Sequence, residues 1–204
     1  NIHRSAAHLD VLMDSLKEMI EGECFDGGEV RFNSKIDDEY AGNNWISMSR
    51  SMHAEIWTEE PADRRRRPRQ FGTISMHLII HDGSDEMLDV NWPWRGQPSL
   101  IACWSRPEVR TEGWEEYYMY AENFNPEDED NLECIARFSP RVWHWKSDGE
   151  CSGAFFFAVP VFSLRDERDI KKHVIKPLKN FFEGKGEDES FPEDSPSFLA
   201  DHSV

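Results

Sequence analysis

The sequence predicts an α+β fold: an antiparallel sheet of about six or seven strands, in meander order, with an N-terminal and a C-terminal helix packed on one face. Three observations lead to this fold class. Residues 43–80 contain two runs of alternating apolar and polar character joined by an arginine-rich link. Apolar residues recur at helical spacing near both ends of the chain. Strand-sized apolar runs separated by turn residues fill the region between them.

The N-terminal helix is predicted to begin at Ser5, a good N-cap, and to end at Gly22 or at the glycines that follow. One apolar stripe with helical spacing marks its buried side: Leu9, Leu12, Met13, Leu16 and Ile20. We expect the sequence to begin inside a longer chain or after processing, because it lacks an initiator Met and a signal-like segment. A short edge strand is predicted over residues 29–33.

The central hairpin is predicted from period-two alternation. The even-numbered positions of the first run are apolar with one exception: Ile46, Met48, Arg50, Met52, Ala54 and Ile56. Successive side chains of a strand point to opposite faces, so this set is expected against a core, and the serine-lined odd-numbered set facing water or a partner. The second run repeats the pattern in Ile74, Met76, Leu78 and Ile80. Pairing that keeps the apolar faces together is expected to place His53 opposite His77.

The link between the two runs is predicted to be a protruding loop, because it is polar and bounded by Pro61 and Pro68. Its arginines are suited to bind phosphate or a carboxylate-rich partner: Arg64, Arg65, Arg66, Arg67 and Arg69. Acidic neighbours at Glu59, Glu60 and Asp63 oppose phosphate binding. Self-association, in which this loop meets an acidic strand of another copy, is the alternative.

Strands are next predicted over residues 87–92 and 99–105, around a loop that carries Trp92, Trp94 and Arg95. These residues are suited to stack on a base, a sugar or a proline-rich peptide. The alternative is that aromatic residues beside prolines simply cover the end of the core. Residues 108–133 then carry ten acidic residues and one base, Arg110.

Within this acidic stretch, residues 114–124 are predicted to form a strand and the turn after it contains Glu127, Asp128, Glu129 and Asp130, hereafter the acidic run. Carboxylates are able to bind Mg²⁺, but a contiguous run in a turn without histidine at ligand spacing is more typical of a solvated surface. We therefore interpret the acidic run, together with the tryptophan loop, as a surface that docks a basic partner.

Strand segments are predicted over residues 132–138, 142–145 and 153–164, the last of them apolar on both faces. Ser163 and Asp166 resemble a capping box that opens a second helix over residues 166–183, and Pro177 is expected to kink or shorten this helix near Val174. The outward side of this helix is basic: Arg165, Arg168, Lys171, Lys172, Lys176 and Lys179. Residues 1–183 are predicted as one domain and residues 184–204 as an acidic, mostly disordered tail lying over the basic side.

No catalytic signature is present, and no cofactor is predicted. The best chemical cluster is positional: His53, Glu55 and His77 on one sheet face, with His81 nearby. Two imidazoles and a carboxylate are suited to hold a metal or to transfer protons near neutral pH. Polar strand residues without a chemical role are the alternative.

The net charge of −17 disfavours binding to nucleic acid or to anionic membranes through long-range attraction. The four cysteines show no close spacing, which favours thiols in a reducing compartment, and we expect a cytoplasmic protein. These observations favour a noncatalytic acidic interaction protein, such as an inhibitor, an immunity-like protein or an adaptor. The alternatives are an enzyme or small-ligand binder that uses the histidine face and, more weakly, nucleic-acid binding through the arginine-rich loop.

Overall fold

In a computed structural model, the structure describes residues 2–22, 28–32, 37–39, 49–58, 70–79, 98–105, 135–137, 141–147 and 150–197. These residues form an antiparallel sheet and several helices, so the chain is an α+β protein. The described strands are β1 (Gly28–Phe32), β2 (Asp37–Glu39), β3 (Ser49–Thr58), β4 (Gln70–Ile79), β5 (Ser99–Ser105), β6 (Ile135–Arg137), β7 (Trp143–Ser147) and β8 (Glu150–Pro160).

The described helical segments are α1 (Ile2–Glu21), a 3-10 turn (Val161–Ser163), α2 (Glu167–Ile170), a π-helix (Lys171–Ile175), α3 (Lys176–Phe182) and α4 (Glu187–Ser190). The segments α2, π-helix and α3 are continuous and together are called the C-terminal helix. None of the helices in the described part of the chain is long and apolar enough to cross a membrane. The strands predicted over residues 87–92 and 114–124 lie outside the described residues.

β3 and β4 pair antiparallel, as their alternation predicts. Among the described residues the strand order is β1-β3-β4-β5-β8-β7-β6, and β2 also pairs with β3. This order departs from a simple meander because β8 lies between β5 and β7. β8 is apolar on both faces, with Phe156 and Phe157 both buried, so a place between two other strands shields more of its apolar surface from water.

One face of the sheet belongs to the main apolar core. On this face, Ile74 of β4 lies opposite Trp104 of β5, and Trp104 lies opposite Phe155 of β8. The same cluster of buried residues includes Met13, Leu16 and Ile20 of α1. It also includes Ile170, Val174, Leu178 and Phe181 of the C-terminal helix, the residues that the helical spacing predicts on one face.

The C-terminal helix begins differently from the sequence prediction. Its N-cap is Asp166, whose Oδ1 accepts a hydrogen bond from the Asp169 amide at 2.9 Å. Ser163, the predicted cap, instead donates its hydroxyl to the Pro160 carbonyl at 2.6 Å. The prediction of Ser163 as the cap is wrong because the 3-10 turn that ends β8 includes this residue, and the helix starts after that turn.

Pro177 does not stop this helix. Proline has no amide proton and crowds the carbonyl four residues earlier, so regular α-helical bonding is interrupted around His173. The chain responds with a π-helical segment, Lys171–Ile175, in which the Lys176 amide donates to the Lys171 carbonyl. Pro177 then lies in the first turn of α3, where a missing donor costs little.

Residues 184–197 are ordered, whereas their composition predicts a disordered tail. They contain α4, and Phe191 is only 7% exposed. Arg141 donates to the carbonyls of Ser195 and Ser197, at 3.3 and 2.8 Å. The Lys172 ammonium pairs with Asp194, as the expected attraction between the acidic tail and the basic side implies. Residues 198–204 lie outside the described residues.

Candidate functional site

Most of the predicted site residues lie outside the described residues. They are Arg64, Arg65, Arg66, Arg67, Arg69, His81, Trp92, Trp94, Arg95, Glu127, Asp128, Glu129 and Asp130. The acidic run, the tryptophan loop and the arginine-rich loop therefore remain predictions. Of the histidine face, His53 is placed by its backbone register, and Glu55 and His77 are placed with their side chains.

His53 and His77 are not directly opposite each other, so the predicted pairing is wrong. His77 lies opposite Ser51, and His53 lies opposite Ser75. The shift is two residues, so both histidines keep the same parity and occupy diagonal positions on one face of the sheet. The predicted register and the observed register both place the apolar side chains of the two strands on the same face. Alternation alone therefore does not decide between the two registers.

Two β4 residues of this face, Ser75 and His77, are both buried. His77 is 2% exposed, and its neighbour Ser75 is fully buried. The expectation that the odd-numbered set faces water or a partner therefore does not hold for these two residues, which are buried within the chain. Both make further interactions within the chain, which fits the rule that a polar group is buried when it gains a partner. Glu55 is partly buried, and its Oε2 accepts a hydrogen bond from the Trp57 indole at 3.0 Å.

Cys103 is a residue of this face that the sequence reasoning missed. It lies opposite Ser75, one diagonal step from His77, and its thiol is buried. An imidazole beside a thiol is the arrangement that activates a cysteine nucleophile, but a buried thiol in apolar surroundings is inert. Ile101, Phe156 and Ala158 share the face and are buried too. The face therefore resembles a second core layer more than a catalytic surface. The pairing of β4 with β5, needed to find Cys103, is not readable from spacing.

A second group of titratable residues lies where residues 184–197 meet the C-terminal helix. His173 is 6% exposed, and its buried Nδ1 has no hydrogen-bond partner. Burial lowers the pKa of His173, and the neighbouring Lys172 lowers it further, while Asp194 and Asp169 act in the opposite direction. The hydrogen bond from Lys172 lowers the pKa of Asp194. Burial and the neighbouring Lys172 thus favour the neutral form of His173.

We predict that His173 makes stability depend on pH. Its folded pKa lies below the usual 6.5, so the unfolded chain binds more protons as the pH falls. The contribution of His173 to the free energy of unfolding is therefore fully present above the unfolded pKa of 6.5. It is lost as the pH decreases through the lower, folded pKa. Urea unfolding between about pH 5 and pH 7 should show a shallower pH dependence for His173→Asn than for the native chain. Parallel pH profiles for the two chains would contradict the assignment.

The arrangement of the described residues therefore supports packing roles for Ser75, His77 and Cys103 and a charged, exposed surface on the helices. Comparisons of the chain with protein-family models, with curated proteins and with solved structures gave no match.

Proposed function

We propose that the chain is a noncatalytic acidic interaction protein, an inhibitor, immunity-like protein or adaptor, that docks a basic protein partner in the cytoplasm. One observation carries the proposal: the concentration of acidic charge. The net charge is −17, and residues 108–133 contribute ten acidic residues against one base. A dense negative surface steers a positively charged partner into encounter and disfavours neutral and acidic competitors.

The described residues add two supporting points. Asp14, Glu18 and Glu21 are all exposed on α1, so acidic side chains are available outside residues 108–133 as well. The burial of Ser75 and His77 makes these two residues less accessible to a ligand, which favours the interaction proposal over ligand binding at this face. The proposal takes the N-terminal and C-terminal helices to pack on the same face of the sheet, which the shared core cluster favours.

The experiment is a pull-down from native lysate at moderate salt with three purified chains. The first is the native sequence, and the second carries serine at all four positions of the acidic run. The third is a matched control with serine at four exposed acidic positions elsewhere: Glu183, Asp188, Glu189 and Glu193. Both variants lose four negative charges, so their net charge changes equally from −17 to −13.

Mass spectrometry of the bound fraction should identify a basic protein that the native and control chains retain and that the acidic-run variant loses. Equal loss from both variants would show that net charge alone is responsible. Absence of any specific partner from the native chain would contradict the proposal.

A second candidate function is small-ligand binding or catalysis at the histidine face. The specific observation in its favour is that His77 and Cys103 lie diagonally on one face, with Ser75 beside them. Such a ligand would have to enter the interior, because these residues are buried. If this function is correct, replacing His53 and His77 with alanine should change the amount of metal or metabolite that copurifies with the chain. An unchanged amount would rule this candidate function out.

Nucleic-acid binding through the arginine-rich loop is the weakest candidate, because the net charge opposes it.

A further inference from the structure

Two exposed helical surfaces of opposite charge stand out among the described residues. The first, the acidic patch, consists of Asp14, Glu18 and Glu21 on α1. Offsets of four and three residues place these side chains on one side of a helix. Met13, Leu16 and Ile20 are buried on the opposite side, so the acidic patch points away from the core.

The second surface, the basic patch, consists of Arg168, Lys171 and Lys176 on the C-terminal helix, all exposed. The Arg168 side chain is 88% exposed, and its pair with Asp166 spans 3.9 Å, a distance at which an exposed ion pair contributes little. From Lys171 to Phe182 the helix contains no acidic residue, whereas Asp166, Glu167 and Asp169 flank Arg168. This positive surface is therefore unusual on a chain whose net charge is −17.

Each patch has an exposed apolar side chain close to it in the chain. Val11 is 61% exposed one helical turn before Asp14, and Phe162 is 75% exposed in the turn that precedes the C-terminal helix. They are the two large apolar side chains most exposed in the described part of the chain. Apolar surface beside a complementary charge is typical of an interface, because burial of the apolar group supplies affinity and the charges set orientation.

We infer that the chain self-associates as a two-fold dimer in which the acidic patch of each copy contacts the basic patch of the other. The lengths of the patches match: Asp14 to Glu21 covers about 10 Å of helix, and Arg168 to Lys176 about 12 Å. Buried residues of α1 and of the C-terminal helix belong to one core cluster. The two patches therefore belong to helices on the same side of the sheet, and a two-fold axis pairs them reciprocally and closes the assembly.

A second copy fits the basic patch better than a nucleic acid does. The chain's overall charge repels both at long range, but a second copy forms two complementary contacts and a polyanion forms only one. At about 0.15 M salt the long-range repulsion is screened beyond roughly 8 Å, whereas ion pairs in contact persist. We expect a weak dimer, because exposed ion pairs each contribute little to affinity. This inference is independent of the proposed function, because it uses the purified chain alone and residues outside the acidic run.

The test is sedimentation equilibrium of the purified full chain over a range of micromolar concentrations at about 0.15 M salt. An acidic-patch variant carries Asp14→Lys, Glu18→Lys and Glu21→Lys. A basic-patch variant carries Arg168→Glu, Lys171→Glu and Lys176→Glu. Each variant alone should dimerise at least about tenfold more weakly than the native chain, because both symmetric contacts become repulsive.

An equimolar mixture of the two variants should form a heterodimer, because reversal on both sides restores attraction at both contacts. A matched control with Glu183→Lys, Asp188→Lys and Glu193→Lys changes the net charge as the acidic-patch variant does and should dimerise like the native chain or more tightly. Circular dichroism of every variant checks the fold. A native chain that stays monomeric would overturn the inference. Variants that dimerise like the native chain, or a mixture that fails to associate, would also overturn it.

Discussion

Replacing Phe191 with alanine should lower the free energy of unfolding by about 3 kcal/mol. Phe191 is 7% exposed and packs edge-on against Phe157, with ring centroids 5.0 Å apart, and against Phe181 at 5.7 Å. Truncation removes most of the apolar surface that the Phe191 side chain buries, and it leaves a cavity between the C-terminal helix and β8. Loss of the edge-to-face geometry adds to the effect. Urea unfolding monitored by circular dichroism measures the change.

The matched control is Phe162→Ala, which truncates the same residue type where the ring is 75% exposed. This variant should change the free energy of unfolding by less than about 0.5 kcal/mol. The measurement is made at a low protein concentration, so that self-association does not contribute. If Phe191→Ala were as mild as the control, residues 184–197 would not be part of the folded core.

Replacing Gly72 with alanine should also destabilise the protein, by about 1–3 kcal/mol. A Cβ at position 72 would lie 2.7 Å from Cε2 of Phe182 and 3.2 Å from Nε1 of Trp104. These two rings meet edge to face with centroids 5.6 Å apart, and Trp104 is buried. Neither ring is therefore free to move without losing packing. Alanine normally suits a strand better than glycine does, so a loss of stability would identify the steric contact as its cause.

Two further variants isolate this contact. Gly22→Ala places the new Cβ 3.5 Å from its nearest neighbour, an ordinary contact, and should be nearly neutral. In a background with Phe182→Ala, the additional cost of Gly72→Ala should be clearly smaller, because the closest atom is gone. Equal costs of Gly72→Ala in both backgrounds would contradict the proposed clash.

The alternation of residues 43–80 was sufficient to predict the β3–β4 hairpin and its core face, because side-chain direction in a strand has a strict period of two. It was not sufficient to predict the register. A shift of two residues preserves parity, and the structure has an irregularity after Ile56 that changes the pairing near the loop. The relation between His53 and His77 therefore had to come from the structure.

The burial of Ser75 and His77 could not be predicted for a different reason. Alternation shows which residues share a face, but whether another part of the chain covers that face depends on tertiary packing. Cys103 joins this face because β4 pairs with β5. These two strands are separated in the chain by the 19 residues 80–98. Composition likewise failed for residues 184–197, because one aromatic residue, Phe191, is enough to anchor a short polar segment to a core.

We propose that localised acidic charge recognises a basic partner, a claim that is tested by the affinity of the partner recovered in the pull-down. Surface plasmon resonance should compare the native chain, the acidic-run variant and the matched control. We predict that the acidic-run variant binds at least about tenfold more weakly, while the control stays within about twofold of the native chain. Equal weakening of both variants, or unchanged affinity in the acidic-run variant, would contradict the claim.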